Sequence, residues 1–153
     1  LAFCRRRRGL LLPAGSAIDG IGLADVAHRP FARRQEGSGS ETLLAHLAAE
    51  AALPPDALPA ALVARSEADA ALAVAEGAAA AALGLEALAV QHGLAFAPLL
   101  EEPLDLLVDR TAYFEQPMQR FLAFCQSPAF AEKAAAMPGY DVSEFGAVRW
   151  NAP

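Results

Sequence analysis

The stretch FARRQEGSGSETLLAHLAAEAAL, residues 31–53, joins a short apolar start, a glycine and serine loop, and an apolar-periodic segment. Phe31-Ala32-Arg33 predicts a strand, and the leucines after Ser40 recur on one face of a helix that runs to about Ala52. Strand, loop and helix in this order form the βα unit in which α/β proteins usually hold their ligands. The stretch therefore predicts an α/β fold with a binding loop.

The loop Gly37-Ser38-Gly39-Ser40 has the chemistry of an anion cradle. Its glycines allow backbone N–H groups to turn toward a ligand, and its serines bring hydroxyl groups. The helix that follows adds the positive end of its dipole. The other interpretation is a glycine-rich helix cap without a ligand. No Walker lysine follows the loop, so the pattern favours binding over nucleotide chemistry.

Charge and composition limit the partners of the chain. Its 153 residues are 55% hydrophobic and 20% charged, which is typical of one globular domain. Alanine is abundant and has the highest helix propensity, so we expect a helix-rich core. A net charge of -6 argues against direct nucleic-acid binding, which needs a clustered positive surface. The run Arg5 to Arg8 abuts the apolar residues 9–12, so we interpret it as part of a strand with solvated or rim arginines.

The sequence contains no pattern that indicates catalysis or metal binding. Cys4 and Cys125 have no metal spacing and no disulfide framework, so we expect buried, reduced thiols in a cytosolic protein. The three histidines (His28, His46 and His92) are scattered without a ligand partner. No apolar run reaches the roughly 18 residues that a membrane span needs. We therefore expect a cytoplasmic, non-enzymatic protein without a membrane partner.

Strand and helix patterns alternate along the rest of the chain. Predicted strands cover 9–12, 31–33, 61–64, 80–85, 95–100 and 104–108. Predicted helices cover a short turn within 20–28 and the segments 40–52, 67–76, 86–92, 118–125 and 128–137. Ser66 and Ser127 are N-cap candidates, and Pro128 suits a first helical position. Residues after Pro138 are expected to form an irregular tail.

The order of these motifs resembles the substrate-binding-protein-like domain of bacterial molybdate-responsive regulators, over almost the whole chain. The matching motifs lie at residues 6–13, 20–27, 34–40, 71–77, 83–86 and 127–141. The resemblance implies a two-lobed type II periplasmic-binding-protein-like fold that lacks the N-terminal part of its first lobe. Residues 1–12 would be a hinge strand and a remnant of lobe 1, 13–98 would be lobe 2, and 99–153 would be the return strand and C-terminal helices of lobe 1.

The resemblance also implies a function. In that family the domain usually follows a DNA-binding helix-turn-helix or is fused to a molybdenum-cofactor biosynthesis enzyme. It would bind an oxyanion such as molybdate or tungstate between its lobes, with no other cofactor, and would contact DNA only through an upstream domain. The sequence does not decide between a monomer and a homodimer. The alternatives are a solute-binding protein of an anion transporter, the enzyme-fused domain, and a sensor of an organic ligand.

Six residues are predicted to contact the ligand. The resemblance implies that Gln35, Ser38, Gly39 and Ser40 form the family loop that would face it. Ser66 and Glu67 open the next helix, whose N–H groups would form a second wall of the same lobe. Ser66 is equally explained as a plain N-cap, and Arg34 either supplies charge or is a surface arginine. Glu86 is expected to cap a helix or serve the hinge. The chain departs from the family pattern at Ala80 and Ala82, where Asp and Gly are usual.

Overall fold

Alternating strand and helix patterns fold into a mixed α/β structure in the computed structural model, which describes residues 1–151. The strands are β1 (Ala2–Leu12), β2 (Phe31–Arg34), β3 (Ala60–Ala64), β4 (Ala81–Leu85), β5 (Ala95–Asp105) and β6 (Tyr140–Asp141). The α-helices are α1 (Gly39–Glu50), α2 (Glu67–Ala75), α3 (Glu86–His92), α4 (Gln116–Cys125) and α5 (Pro128–Ala135). Short 3-10 helices cover Leu23–Val26 and Ala112–Phe114. The predicted α/β class is confirmed.

The chain divides into two units. The larger unit is Arg7–Leu100, and the smaller unit is Leu1–Arg6 with Glu101–Pro153. In the larger unit the strand order is β3-β2-β4-β1-β5. Here β2 is parallel to both β3 and β4, and β1 is antiparallel to β4. Helices connect the parallel strands because such strands need a long crossover. The predicted division into lobes and a hinge stays a prediction.

Two apolar clusters lie on opposite faces of the sheet in the larger unit. Successive side chains of a strand point to opposite faces, so Leu10 and Leu12 join one cluster while Leu11 joins the other. Leu44 of α1 packs into the first cluster. The alanine-rich face of α2 packs into the second, through Ala70, Ala71, Ala73 and Val74. The alanine content thus serves close packing of a helix on the sheet.

Four phenylalanine rings lie together in the smaller unit. The ring of Phe3 lies 6.4, 6.1 and 5.9 Å from the ring centroids of Phe121, Phe130 and Phe145. Ser127 caps α5, since its hydroxyl accepts a hydrogen bond from the Phe130 backbone N–H, as predicted.

Among residues 1–151, no helix combines the length and the apolar character that a membrane crossing requires.

Two predicted boundaries are wrong at the C-terminal side. The strands expected at 95–100 and 104–108 are one continuous strand, β5. Because β5 ends the strand order, Pro98 and Pro103 can sit in it without breaking a ladder on both sides. The tail after Pro138 is not wholly irregular, since β6 pairs antiparallel with β1 through Arg5 and Asp141. The strand predicted at 9–12 begins earlier, since β1 starts at Ala2. The other predicted strands and helices are confirmed within a few residues.

Candidate functional site

The loop between β2 and α1 is built by local capping. Gly37 has a φ of +80°, a conformation that favours glycine. Ser38 is the N-cap of α1, and its hydroxyl oxygen accepts a hydrogen bond from the Glu41 backbone N–H at 3.2 Å. The hydroxyl proton of Ser38 is not used in that bond, because the oxygen is the acceptor. The helix therefore begins at Gly39, one residue before the predicted start.

Arg8 lies at the centre of the site. Its side chain is only 1% exposed. Its Nη2 donates to the hydroxyl of Ser40 at 2.8 Å, and its Nη1 donates to Oε1 of Glu67 at 2.5 Å. The Ser40 hydroxyl in turn donates to the same Glu67 oxygen at 2.5 Å. We call these three residues the Arg8 cluster.

Burial of Arg8 corrects the expectation that all four arginines of β1 are solvated or rim residues. Arg8 directly precedes residues 9–12 of β1, which are buried on both faces of the sheet, so it belongs to the fully buried end of the strand. Its acidic partner follows 59 positions later in the chain, and a pairing of that range has no sequence signature. Sequence reasoning therefore missed the central residue of the site.

Arg34 places a second guanidinium beside the Arg8 cluster. Its Nε donates to the Ala64 carbonyl oxygen at 3.2 Å, and its Nη2 donates to the Arg65 carbonyl oxygen at 3.0 Å. Its Nη1 lies 4.0 Å from Oε1 of Glu67. These bonds fix Arg34 at the C-terminal end of β2, mostly buried, which rules out the simple surface arginine. One carboxylate oxygen therefore faces two cationic groups.

The starts of two helices meet at the cluster. Ser40 is the second residue of α1, and Glu67 is the first residue of α2. Ser66 caps α2 in a capping box: its hydroxyl accepts from the Asp69 N–H and its own N–H donates to Asp69, both at 3.0 Å. Helix N-termini and guanidinium groups both stabilise negative charge. The arrangement is thus suited to an anion, and the carboxylate of Glu67 is the anion located there.

The six predicted ligand residues occupy two segments of the larger unit, and the structure joins the side chains of one pair directly. Ser40 and Glu67 are hydrogen-bonded to each other. Ser38 and Ser66 use their hydroxyl oxygens as helix caps, and Ser66 thereby confirms its predicted cap. Gln35 is exposed, and its side-chain oxygen lies 3.4 Å from Nε of Arg34. Ligand contact by these residues stays a prediction.

The remaining arginines of β1 each have an acidic partner. Arg5 pairs with Glu144 at 3.1 Å, and Arg6 pairs with Glu102 at 2.7 Å, both in the smaller unit. In the larger unit, Nε of Arg7 lies 3.0 Å from Oε2 of Glu86, the first residue of α3. Within residues 1–151 no group of three or more His, Cys, Asp or Glu side chains is placed to hold a metal ion.

Comparison with known proteins gives a family and a fold. Residues 1–126 match the sequence profile of a family described as a PBP superfamily domain. No curated protein sequence matches the chain. One similar solved structure is a histidine kinase sensor domain with similarity to periplasmic binding proteins, with a TM-score of 0.57 at 15% sequence identity. The match covers 92% of this chain and 62% of that chain, so this chain spans less than two thirds of that structure.

Proposed function

Because the chain belongs to the PBP superfamily domain family, we propose that it is a sensing domain that binds a small oxyanion such as molybdate or tungstate. Family membership supports ligand binding. The fold it shares with a histidine kinase sensor domain supports a sensory role. The choice of an anion rests on one observation, which is the buried guanidinium of Arg8 beside the Ser40 hydroxyl and the first turns of α1 and α2.

The affinity of such a site follows from its donors. Arg8, Arg34 and the hydroxyl of Ser40 offer charge-assisted hydrogen bonds to the oxygens of a tetrahedral anion, at about 1.5–3 kcal/mol each. Three such bonds give about 5–9 kcal/mol before the cost of association. That total corresponds to a dissociation constant no tighter than about micromolar. A sensor that responds to micromolar oxyanion fits this range.

The proposed setting is a cytoplasmic transcriptional regulator in which a separate domain contacts DNA. The motif order that resembles molybdate-responsive regulators supports this setting. A solute-binding protein of an anion transporter and a domain fused to a molybdenum-cofactor biosynthesis enzyme are the alternatives. All three predict the same oxyanion binding. The sequence of the complete gene product separates them, by a helix-turn-helix, a secretion signal or a biosynthetic enzyme domain.

Calorimetric titration of the 153-residue chain with the sodium salts of molybdate, tungstate, sulfate and phosphate tests oxyanion binding. We expect saturable heat at one site per chain, with tungstate and molybdate bound more tightly than sulfate. The absence of heat with all four anions would overturn the proposal. A circular-dichroism melt of the same sample shows that the protein is folded during the titration.

Two pairs of variants locate the binding site. Arg34→Gln should weaken oxyanion binding at least tenfold, whereas Arg33→Gln makes the same charge change one residue away and should change it less than threefold. Arg33 is the matched control because its guanidinium bonds to Glu41 and to the Leu58 carbonyl oxygen instead of approaching Glu67. Ser38→Ala should also weaken binding. Ser127→Ala, which removes the equivalent cap of α5, should leave affinity unchanged.

A further inference from the structure

We propose that the Glu67 carboxylate is an internal ligand of the oxyanion site, and that an incoming anion has to displace it to reach Arg8. This inference rests on the proposed function and adds a residue that sets its affinity and selectivity. Arg8 is 1% exposed, whereas the Glu67 side chain is 20% exposed. Glu67 is therefore the member of this ion pair that contacts water, and Arg8 is the buried member.

The donors of the site already point at one Glu67 oxygen. Nη1 of Arg8 and the hydroxyl of Ser40 both lie 2.5 Å from Oε1, and Nη1 of Arg34 lies 4.0 Å from it. An oxygen of a tetrahedral anion is the same kind of acceptor as a carboxylate oxygen, and it needs the same donors. The two cannot occupy one position. An external anion can accept from both Nη1 of Arg8 and the Ser40 hydroxyl at that position only after the Glu67 carboxylate has left it.

The position of Glu67 allows the carboxylate to leave without unfolding its helix. Glu67 is the first residue of α2, and the start of α2 is held by the capping box between Ser66 and Asp69. That box uses no atom of the Glu67 side chain. Rotation about the side-chain bonds of Glu67 can therefore withdraw the carboxylate from Arg8 while the backbone stays in place. The measured affinity would be the affinity of the open site multiplied by the open fraction.

A neighbouring ion pair provides the control. Glu86 is the first residue of α3, as Glu67 is of α2, and its side chain is 19% exposed. Its partner Arg7 is adjacent to Arg8 on β1 but is 48% exposed. Arg7 is open to water while it is paired, so Glu86 does not cover it. Removing the charge of Glu86 repeats the electrostatic change without opening a buried guanidinium.

The test compares wild type, Glu67→Gln and Glu86→Gln by calorimetric titration with sodium molybdate and sodium tungstate. Glutamine keeps the shape and an acceptor oxygen for Arg8 and Ser40 but loses the negative charge that competes with the ligand. We expect Glu67→Gln to lower the dissociation constant at least tenfold, and Glu86→Gln to change it less than threefold. If Glu67→Gln does not fold, Glu67→Asp keeps the charge with a shorter reach, and a smaller gain in the same direction is expected.

The outcomes separate this inference from the proposed function. A wild type that binds, with a tenfold gain only in Glu67→Gln, supports both. A wild type that binds with no gain in either Glu67 variant overturns the internal ligand and leaves oxyanion sensing in place. Binding by Glu67→Gln alone supports the internal ligand and contradicts oxyanion binding by the unaltered chain. No binding by any of these proteins overturns both.

Discussion

Gly9 of β1 lies so close to Ala97 of β5 that a Cβ atom at position 9 would stand 2.2 Å from the Ala97 carbonyl oxygen. The same Cβ would be 2.9 Å from Cε2 of Phe96. A side chain tip can move aside, but the backbone of an adjacent strand cannot without distorting the sheet. Glycine is required here by the close approach of two strands.

Gly9→Ala should therefore destabilise the larger unit. Overpacking of this kind costs about 1–3 kcal/mol, and a clash with backbone belongs at the upper end. Urea unfolding followed by circular dichroism measures the loss. Gly39→Ala is the control, because nothing lies within 4 Å of its Cβ position and alanine favours a helix, so it should be neutral or slightly stabilising. Equal losses in the two variants would contradict the strand-contact argument.

Most of the fold follows from local patterns in the sequence. The run from Phe31 to the end of α1 and the serine caps Ser66 and Ser127 all sit where propensity and capping place them. One exception is β5. The prolines at 98 and 103 break a strand pattern when they are judged by sequence alone, yet an edge position removes their cost. Whether a strand lies at an edge depends on the order of all strands in the sheet, and the residues of that strand alone do not determine it.

The site was predictable only in part. The glycine and serine loop indicates Ser40 because the signal is local, and the helix start indicates Glu67 for the same reason. The contact between these two residues, and the guanidinium of Arg8 that joins them, depend on strand order. Pairings between distant positions carry no local signal. Sequence reasoning therefore found two members of the Arg8 cluster and missed its buried guanidinium.

The four arginines of β1 should differ sharply in their contribution to stability. Arg8→Met removes the nearer of the two cations that face Glu67, and breaking a buried ion pair costs roughly 3–5 kcal/mol. We expect the lower end of that range, because Glu67 keeps some contact with water. Arg5→Met breaks a pair whose side chains are 42% and 45% exposed, and should cost less than about 1 kcal/mol. Similar urea midpoints for the two variants would show that burial of Arg8 does not govern its contribution.

The two cysteines should be unreactive in the folded protein. Burial raises the pKa of the Cys4 thiol above its ordinary value of 9.0, and Arg6 only partly opposes this rise. Burial likewise raises the pKa of the Cys125 thiol. Because the thiolate is the reactive form, both should react with a disulfide reagent at pH 8 about a hundredfold more slowly than in urea. If one thiol reacts with the reagent as fast in the absence of urea as in its presence, its side chain is accessible in the folded protein.

The same pKa direction predicts a loss of stability in alkaline solution. A thiol whose pKa is raised by folding binds more protons in the native state than in the unfolded state between the two pKa values. Its contribution is complete below the ordinary value of 9.0 and declines as the pH rises above it. Cys4→Ser with Cys125→Ser should flatten the fall in melting temperature between pH 8.5 and pH 10. An unchanged slope would exclude the thiols as its source.

Asp141 of β6 should contribute to stability in the opposite pH range. The Ser143 backbone N–H, which donates to the carboxylate at 2.8 Å, lowers the pKa of Asp141 below its ordinary value of 3.8. The Ser143 hydroxyl and the charge of Arg5 act in the same direction. The unfolded chain then binds more protons than the folded chain as the pH falls through this range, so the stabilisation exists above pH 4 and is lost in acid. Asp141→Asn keeps an oxygen acceptor but loses the charge, so its melting temperature should lie below that of wild type at pH 6 and approach it at pH 2.5. A difference between the two proteins that is the same at both values would show that the carboxylate charge is not responsible.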